Sequence, residues 1–448
     1  MGRLVKSRYT IMASGEDGSL ILYNSMSGSI ASVRKEKSHI IRSILRNGIN
    51  DDELLGKELA RGGFLVSEEV DETNRLKALY YKRYQNNNHL HLILMSTEQC
   101  NFRCVYCYEK FLRGKMPQEI QNGVFNYVKR RINHLDSISV EWFGGEPLLA
   151  SDVVLGLGER LFHLAKEHNI PFTSSVTTNG YYLTRDLVQK LLSIGIDHYT
   201  VTLDGIDKEH DKRRVLREGG GTFSTIIGNL KDLKSTDWNF KVKFRNNYDP
   251  ESLEKIDEFL LYLKKNFGND VRFADINMRP IGKWGGPNDS TLQVCESADS
   301  SIRWAVLRKA MQNGFPENDL KYYLQPGKYV CYASDPMSFA IGAAGQIMKC
   351  TLELDTNERN IIGQVKEDGF WEIDYEKLAL WVLGDGNGDT GCKNCYFAPA
   401  CQGAACAKAR FDTGHSPCPS EKKDISKVLR LIHEQDVILN CYPSKSFD

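Results

Sequence analysis

Cys100, Cys104 and Cys107 are the residues of this chain whose type and spacing point most directly to chemistry. They form a C-x3-C-x2-C run straight after the apolar stretch His91-Leu-Ile-Leu-Met95. Three thiolates can hold three corners of a cubane [4Fe–4S] cluster, whose usual protein complement is four, and leave one iron open to an outside ligand. A structural zinc site wants four ligands in paired spacings, and no fourth Cys or His follows nearby. A second group lies near the other end. Cys331 precedes Gly345 and Cys350, and Cys392, Cys395, Cys401, Cys406 and Cys418 follow.

Such residues need a scaffold. Between about residues 90 and 279, short apolar runs alternate with amphipathic stretches, the pattern of βα units around a parallel sheet. Strands are expected at 92–95, 139–143, 173–178, 199–203, 241–245 and 272–278. Helices are expected at 118–132, 153–167, 185–194, 224–233 and 250–265. Six units predict an α/β fold, an open partial (β/α)6 barrel, whose sites lie at the C-terminal strand ends. Polar motifs fall there. Glu141-Trp-Phe-Gly144-Gly145-Glu146-Pro147 follows the second strand, Thr177-Thr178-Asn179-Gly180 ends the third, and Thr202-Leu203-Asp204-Gly205 ends the fourth. Two glycines permit close backbone approach to a ligand, and Glu146 can accept from a cationic amine.

The first 84 residues have their own pattern. Runs at 9–13, 20–24 and 30–33 predict a small antiparallel sheet with turns at 15–18 and 25–28. Ile40, Ile41, Ile44 and Leu45 share one expected helix face, and Leu54, Leu55 and Leu59 share the next. Arg61-Gly62-Gly63 supplies a helix stop, and Gln85-Asn-Asn-Asn88 reads as a linker. An exposed edge of such a sheet can accept an extended peptide as an added strand.

Composition bounds the function. The chain of 448 residues balances 58 basic against 58 acidic side chains, so no polybasic footprint argues for nucleic acid or an anionic membrane. No apolar run approaches a membrane span. The polar start, Met1-Gly-Arg-Leu-Val-Lys-Ser-Arg, is unlike a signal peptide, and a cytoplasmic location is expected. Twelve cysteines in a reducing compartment suggest metal or redox chemistry rather than disulfides. The stretch 384–391 could be mistaken for a calcium loop, but Tyr396 stands where an EF-hand needs Glu.

With aromatic Tyr106 before its last cysteine, the Cys100–Cys107 motif resembles that of the radical S-adenosylmethionine (SAM) enzymes. The resemblance implies that SAM binds the open iron through its amino and carboxylate groups. One electron then cleaves it to a 5′-deoxyadenosyl radical. It further implies that Gly144, Gly145 and Glu146 bind the methionine amino group. Thr178, Asn179, Thr202 and Asp204 would lie near the SAM carboxylate and ribose, with Thr202 standing where relatives commonly carry Ser. The stretch His210-Asp-Lys-Arg213-Arg214 resembles the family's segment after the fourth strand, where an arginine can clamp a carboxylate; which of the two does so is open.

The later cysteines look like the SPASM extension of peptide-modifying radical SAM enzymes, which holds two auxiliary [4Fe–4S] clusters, three in all. By that pattern Cys392, Cys395, Cys401 and Cys418 ligate the outer cluster. Cys331, Cys350 and Cys406 then hold the inner one; residues 332–349 contain no cysteine, so one iron is expected to be open, the alternative being that Cys295, Cys441 or a non-cysteine side chain fills the gap. The four-residue gap before Cys406 departs from the family's usual three. The first 84 residues resemble the winged-helix-like element that binds leader peptides. The expected organisation is therefore 1–84 for leader recognition, 90–310 for the radical SAM barrel and 311–448 for SPASM. The expected partners are a ribosomal precursor peptide and an electron donor such as flavodoxin or ferredoxin. The expected activity is thioether cross-linking of the sactipeptide and ranthipeptide type. The alternatives are formylglycine generation, as in anaerobic sulfatase maturases, and carbon–carbon or ether cross-linking. No catalytic side chain is singled out.

Overall fold

Near-continuous burial marks the strands of a parallel sheet covered on both faces, and the chain from residue 90 to 97 is buried at all but one position. The computed structural model describes residues 2–295, 300–316, 319–328, 330–354, 357–384 and 389–441. Residues 385–388 of the glycine-rich stretch lie outside them. By contact the chain divides into two compact units, Asn87–Glu317 with Pro336–Trp381, and Met1–Asn86 with Asn318–Asp335 and Val382–Asp448.

The first of these units is a mixed α/β fold built on a central parallel sheet. Its strands are β1 (His89–Thr97), β2 (Ser137–Gly144), β3 (Phe172–Thr178), β4 (Ile196–Thr202), β5 (Lys241–Tyr248) and β6 (Asp275–Pro280), each parallel to the next. Leu94 pairs with Trp142, Val176 with Tyr199 and Val201 with Phe244. Helices Gln118–Arg131, Ser151–Glu167, Arg185–Ser193, Phe223–Lys234 and Ile256–Phe267 occupy the connections. The helix Ser151–Glu167 buries Val153, Val154, Leu157, Leu161 and Leu164; each such side chain contributes about 1.5–3 kcal/mol. Around the N-terminal ends of β5 and β6, Phe240, Phe244, Phe267 and Phe273 pack with ring centroids 5.1 to 6.2 Å apart.

Element boundaries shift from expectation by a few residues, two of them for a visible reason. The sixth strand starts at Asp275 rather than 272, because the Asp270 carboxylate accepts from the Arg272 amide at 3.0 Å and caps a 3-10 turn over Val271–Phe273. The helix expected at 250–265 breaks into Pro250–Leu253 and Ile256–Phe267. A further strand was not foreseen. β7 (Ser338–Ile341) runs parallel to β1, with Phe339 opposite Leu92, and three short antiparallel strands extend the sheet to ten.

In the other unit, strands Thr10–Ser14, Leu20–Asn24 and Ile30–Val33 form the expected antiparallel sheet. Arg3–Lys6 pairs with Ile49–Asn50 and Leu65–Ser67 in a second small sheet. Helices Lys35–Asn47, Leu54–Arg61 and Glu72–Gln85 follow. Their core joins Leu20, Leu22, Ile41, Ile44, Leu45, Leu59 and Phe64. Ile40 and Leu54 are exposed, at 44% and 75%, because each lies at the margin of its helix's apolar stripe. Helix Ile425–Cys441 packs on the first two strands of the three-stranded sheet. Among the described residues no helix is long and apolar enough to cross a membrane.

Candidate active site

The C-terminal end of β1 delivers the chain directly into the three-cysteine loop. Cys100 is buried, and its sulfur accepts from the Phe102 amide at 3.3 Å. Phe102–Cys104 forms a short antiparallel ladder with Arg214–Leu216, which sets Arg214 opposite Cys104. The amide of Cys107 donates to the Cys104 carbonyl at 3.0 Å. All three cysteines line one cavity of about 240 Å³. Burial pushes all three thiol pKa values up, that of Cys107 to about 12, so binding iron here displaces protons. Among the described residues no three His, Cys, Asp or Glu side chains converge as ligands of a single ion; a cubane, with each thiolate on its own iron, uses a wider set.

Behind the loop stands the turn after β2. A Cβ on Gly144 would lie 2.4 Å from the Thr97 carbonyl oxygen, and one on Gly145 would lie 2.4 Å from that of Gln99. The close approach these glycines permit is therefore to the chain leading into the cysteines. Both also line the cavity. Glu146 is fully buried. Its carboxylate accepts from Thr178 Oγ1 at 2.7 Å, the Asn179 amide at 2.7 Å and the Leu148 amide at 3.0 Å. It ties β2 to the end of β3. Burial raises its pKa against those hydrogen bonds. Asn179 in turn donates to Asn101 Oδ1 at 2.8 Å, and with Thr178 and Thr202 it lines the cavity.

The two arginines separate. Arg213 is turned into an ion cluster, with its Nε 3.1 Å from Asp249 Oδ2 and its Nη2 3.0 Å from Oδ1. Arg214 lines the cavity and donates from Nη1 to the Tyr106 hydroxyl at 2.6 Å, with Asp204 3.6 Å away. Burial opposes its charge, but Cys104, Tyr106 and Asp204 hold its pKa above the ordinary value. Asp204 is fully buried and does not face the cavity. It accepts from Tyr106 and from the Asn247 amide at 2.7 Å.

Several cavity residues escaped sequence reading. Arg245, at the expected end of β5, reaches it, and so does Asn247, because β5 continues three residues further, to Tyr248. Glu109, Phe111, Trp284, Thr351 and Leu352 complete parts of the wall. Burial, with Glu98 and Glu146 nearby, pushes Glu109 up to about 8. Its place two residues after Cys107 was the available signal.

The later cysteines fall in both units, and no disulfide joins the described ones. Within the unit that holds the N-terminal residues, Cys392, Cys395 and Cys418 are near enough to Cys401 that each raises its pKa, which burial takes to about 12. Lys422 donates to Cys418 Sγ at 3.1 Å. Cys406 stands outside that set and accepts from the Ala409 amide at 3.5 Å, while the Cys331 amide donates to Ala404 O at 2.9 Å. In the sheet unit, Cys350 is buried; its amide donates to Asn360 Oδ1 at 2.8 Å. The next two residues, Thr351 and Leu352, are the ones in the cavity wall.

Residues 94–265 match the Radical SAM superfamily. The chain therefore carries a radical SAM domain. It is similar to GTP 3′,8-cyclase of Campylobacter jejuni subsp. doylei, 26% identical over 214 residues, or 46% of this chain and 62% of that protein. It thus spans less than two thirds of that relative's length. Among solved structures, native anSMEcpe with bound AdoMet and Cp18Cys peptide aligns at TM-score 0.57 and 18% identity, over 78% of this chain and 99% of that one. SuiB of Streptococcus suis bound to S-adenosylmethionine aligns at TM-score 0.51 and 16% identity, over 91% and 97%. These likenesses show a shared fold.

Proposed function

We propose that this enzyme modifies a ribosomally synthesised precursor peptide and forms thioether cross-links from cysteine sulfur. The observation that carries the reading is the three-cysteine loop at the C-terminal mouth of the parallel sheet, its three cysteines lining one cavity with Arg214, Thr178, Asn179 and Thr202. The donor set fits a cluster with one open iron and SAM upon it. When bound, these groups supply a 5′-deoxyadenosyl radical able to remove hydrogen from carbon. The chain's own residues do the rest. Cys100, Cys104 and Cys107 give up their protons and hold iron. Arg214 presents a guanidinium to a carboxylate. Phe102, Phe111, Trp284 and Leu352 form apolar parts of the wall that limit water.

Peptide as substrate is supported by the solved likeness whose partner is a peptide. The free edge of the strand Ile30–Val33, which pairs on one side only, suits a leader added as a strand. Cys392, Cys395, Cys401 and Cys418 would hold an outer auxiliary cluster, and Cys331, Cys350 and Cys406 an inner one with an open iron. A substrate thiolate is a good ligand for such an iron. Thr351, after Cys350, brings a cavity residue beside that ligand. Flavodoxin or ferredoxin would supply electrons.

The test is the intact mass of a cysteine-rich precursor peptide coexpressed anaerobically with this protein, then reduced and alkylated. Loss of two hydrogens and one alkylatable cysteine per event is expected. Unchanged alkylation with the same mass loss would replace thioether by carbon–carbon or ether cross-linking. Formylglycine generation is the second reading, favoured by the likeness to anSMEcpe. Against it, sulfatase maturases carry an aspartate base where Thr351 stands, and conversion of a client cysteine to an aldehyde would decide for it.

A further inference from the structure

The aromatic residue before the last cysteine of the loop needs only a ring to satisfy the motif, yet here its hydroxyl is fully used. Tyr106 O–H donates to Asp204 Oδ2. Its oxygen accepts from Arg214 Nη1 at 2.6 Å and from Asn247 Nδ2 at 3.1 Å. One donor and two acceptor positions are all a phenol has, so nothing is left for a ligand. The partners come from three different places. Asp204 follows β4, Asn247 lies in β5, and Arg214 lies on the short strand opposite Cys104. Asn247 also donates to Asp204 Oδ1 through its amide at 2.7 Å and its side chain at 3.3 Å. All of this is inside the one unit.

We propose that the Tyr106 hydroxyl is a positioning group that locks the cysteine loop to the ends of β4 and β5 and holds the Arg214 guanidinium at the cavity wall, ready for the SAM carboxylate. The proposal rests on the reading that Cys100, Cys104 and Cys107 hold the SAM-binding cluster. Losing the hydroxyl leaves Asp204 Oδ2 and Arg214 Nη1 each short of a buried partner, and Arg214 Nε already lacks one among the described residues. Buried polar groups do not stay unpaired at low cost, so the guanidinium must turn and the loop between Cys104 and Cys107 loosens. The ring, by contrast, still fills its space in Tyr106→Phe.

Full-length protein, anaerobically loaded with iron and sulfide, provides the test. SAM is the probe, and its affinity is read from the change it produces in the electron paramagnetic resonance of the reduced protein. Tyr106→Phe is expected to keep the wild-type iron content and bind SAM roughly tenfold more weakly, the scale of one charge-assisted hydrogen bond. A purely structural role would leave affinity unchanged at full iron content, and that result overturns the proposal. A second readout needs no cofactor. Amide hydrogen exchange across residues 101–107 of the unloaded protein should quicken in the variant; unchanged exchange also counts against the lock. If the wild type itself takes up iron but never responds to SAM, the parent reading fails, and the exchange result still decides on the lock.

Discussion

At the residue scale, neighbours in sequence do different work because a short ladder turns them apart. Nothing in Arg213-Arg214 says which faces the site; the antiparallel pairing of Arg214–Leu216 with Phe102–Cys104 decides it. Arg213 is 4% exposed and forked on Asp249. Replacing it by Met should destabilise the protein by about 3 kcal/mol, the lower range for breaking a buried pair, as read by urea unfolding, with SAM affinity little changed. Arg214→Met should, beyond any stability it loses with its buried partners, weaken SAM binding by about tenfold or more. Equal effects on stability and affinity from both variants would contradict this division. The cysteines, by contrast, were legible because their spacing is itself the chemistry. Glu146 shows the limit of that legibility, since its carboxylate accepts three hydrogen bonds from the chain itself.

At the scale of elements, alternating apolar runs placed all six strands of the parallel sheet, since burial on both faces leaves a local signature. β7 left none. Its four residues pair with a strand far away in the chain, and such pairing is not written in local pattern. The turn after β2 is where element and site meet. Gly145→Ala should push the Gln99 carbonyl, cost about 1–3 kcal/mol by overpacking, and lower the iron bound at the three-cysteine loop. Wild-type iron content in that variant would show that the close approach is dispensable. In the other unit, His433 on the C-terminal helix lies 3.2 Å from Asp17. Hydrogen bonds from Ser19 first, then His433, hold the Asp17 carboxyl down to about 2 against an ordinary 3.8. Its contribution to stability is therefore complete above pH 3.8 and lost as pH falls through 2. Exposure keeps it small. Asp17→Asn should be less stable than wild type at neutral pH, with the gap closing in that acid window. A pH series of urea melts checks it, and a gap independent of pH would refute it.

At the scale of the whole molecule, the sequence suggested three segments in a row. Contact instead groups the N-terminal residues with 318–335 and 382–448, and the parallel sheet with 336–381. Chain order does not by itself fix which surfaces meet. The auxiliary-cluster proposal makes a countable claim here. Replacing Cys392, Cys395 and Cys401 together by Ala should lower bound iron by about four per chain and leave the SAM-responsive signal in place; unchanged iron would remove the outer cluster. The central claim is radical cleavage of SAM at Cys100, Cys104 and Cys107. Its most direct measurement is 5′-deoxyadenosine released from SAM by the iron-loaded, reduced protein, beside a Cys104→Ala control. The account predicts steady formation by the wild type and none by the control. No 5′-deoxyadenosine from a fully loaded wild type, or equal amounts from both, would contradict it.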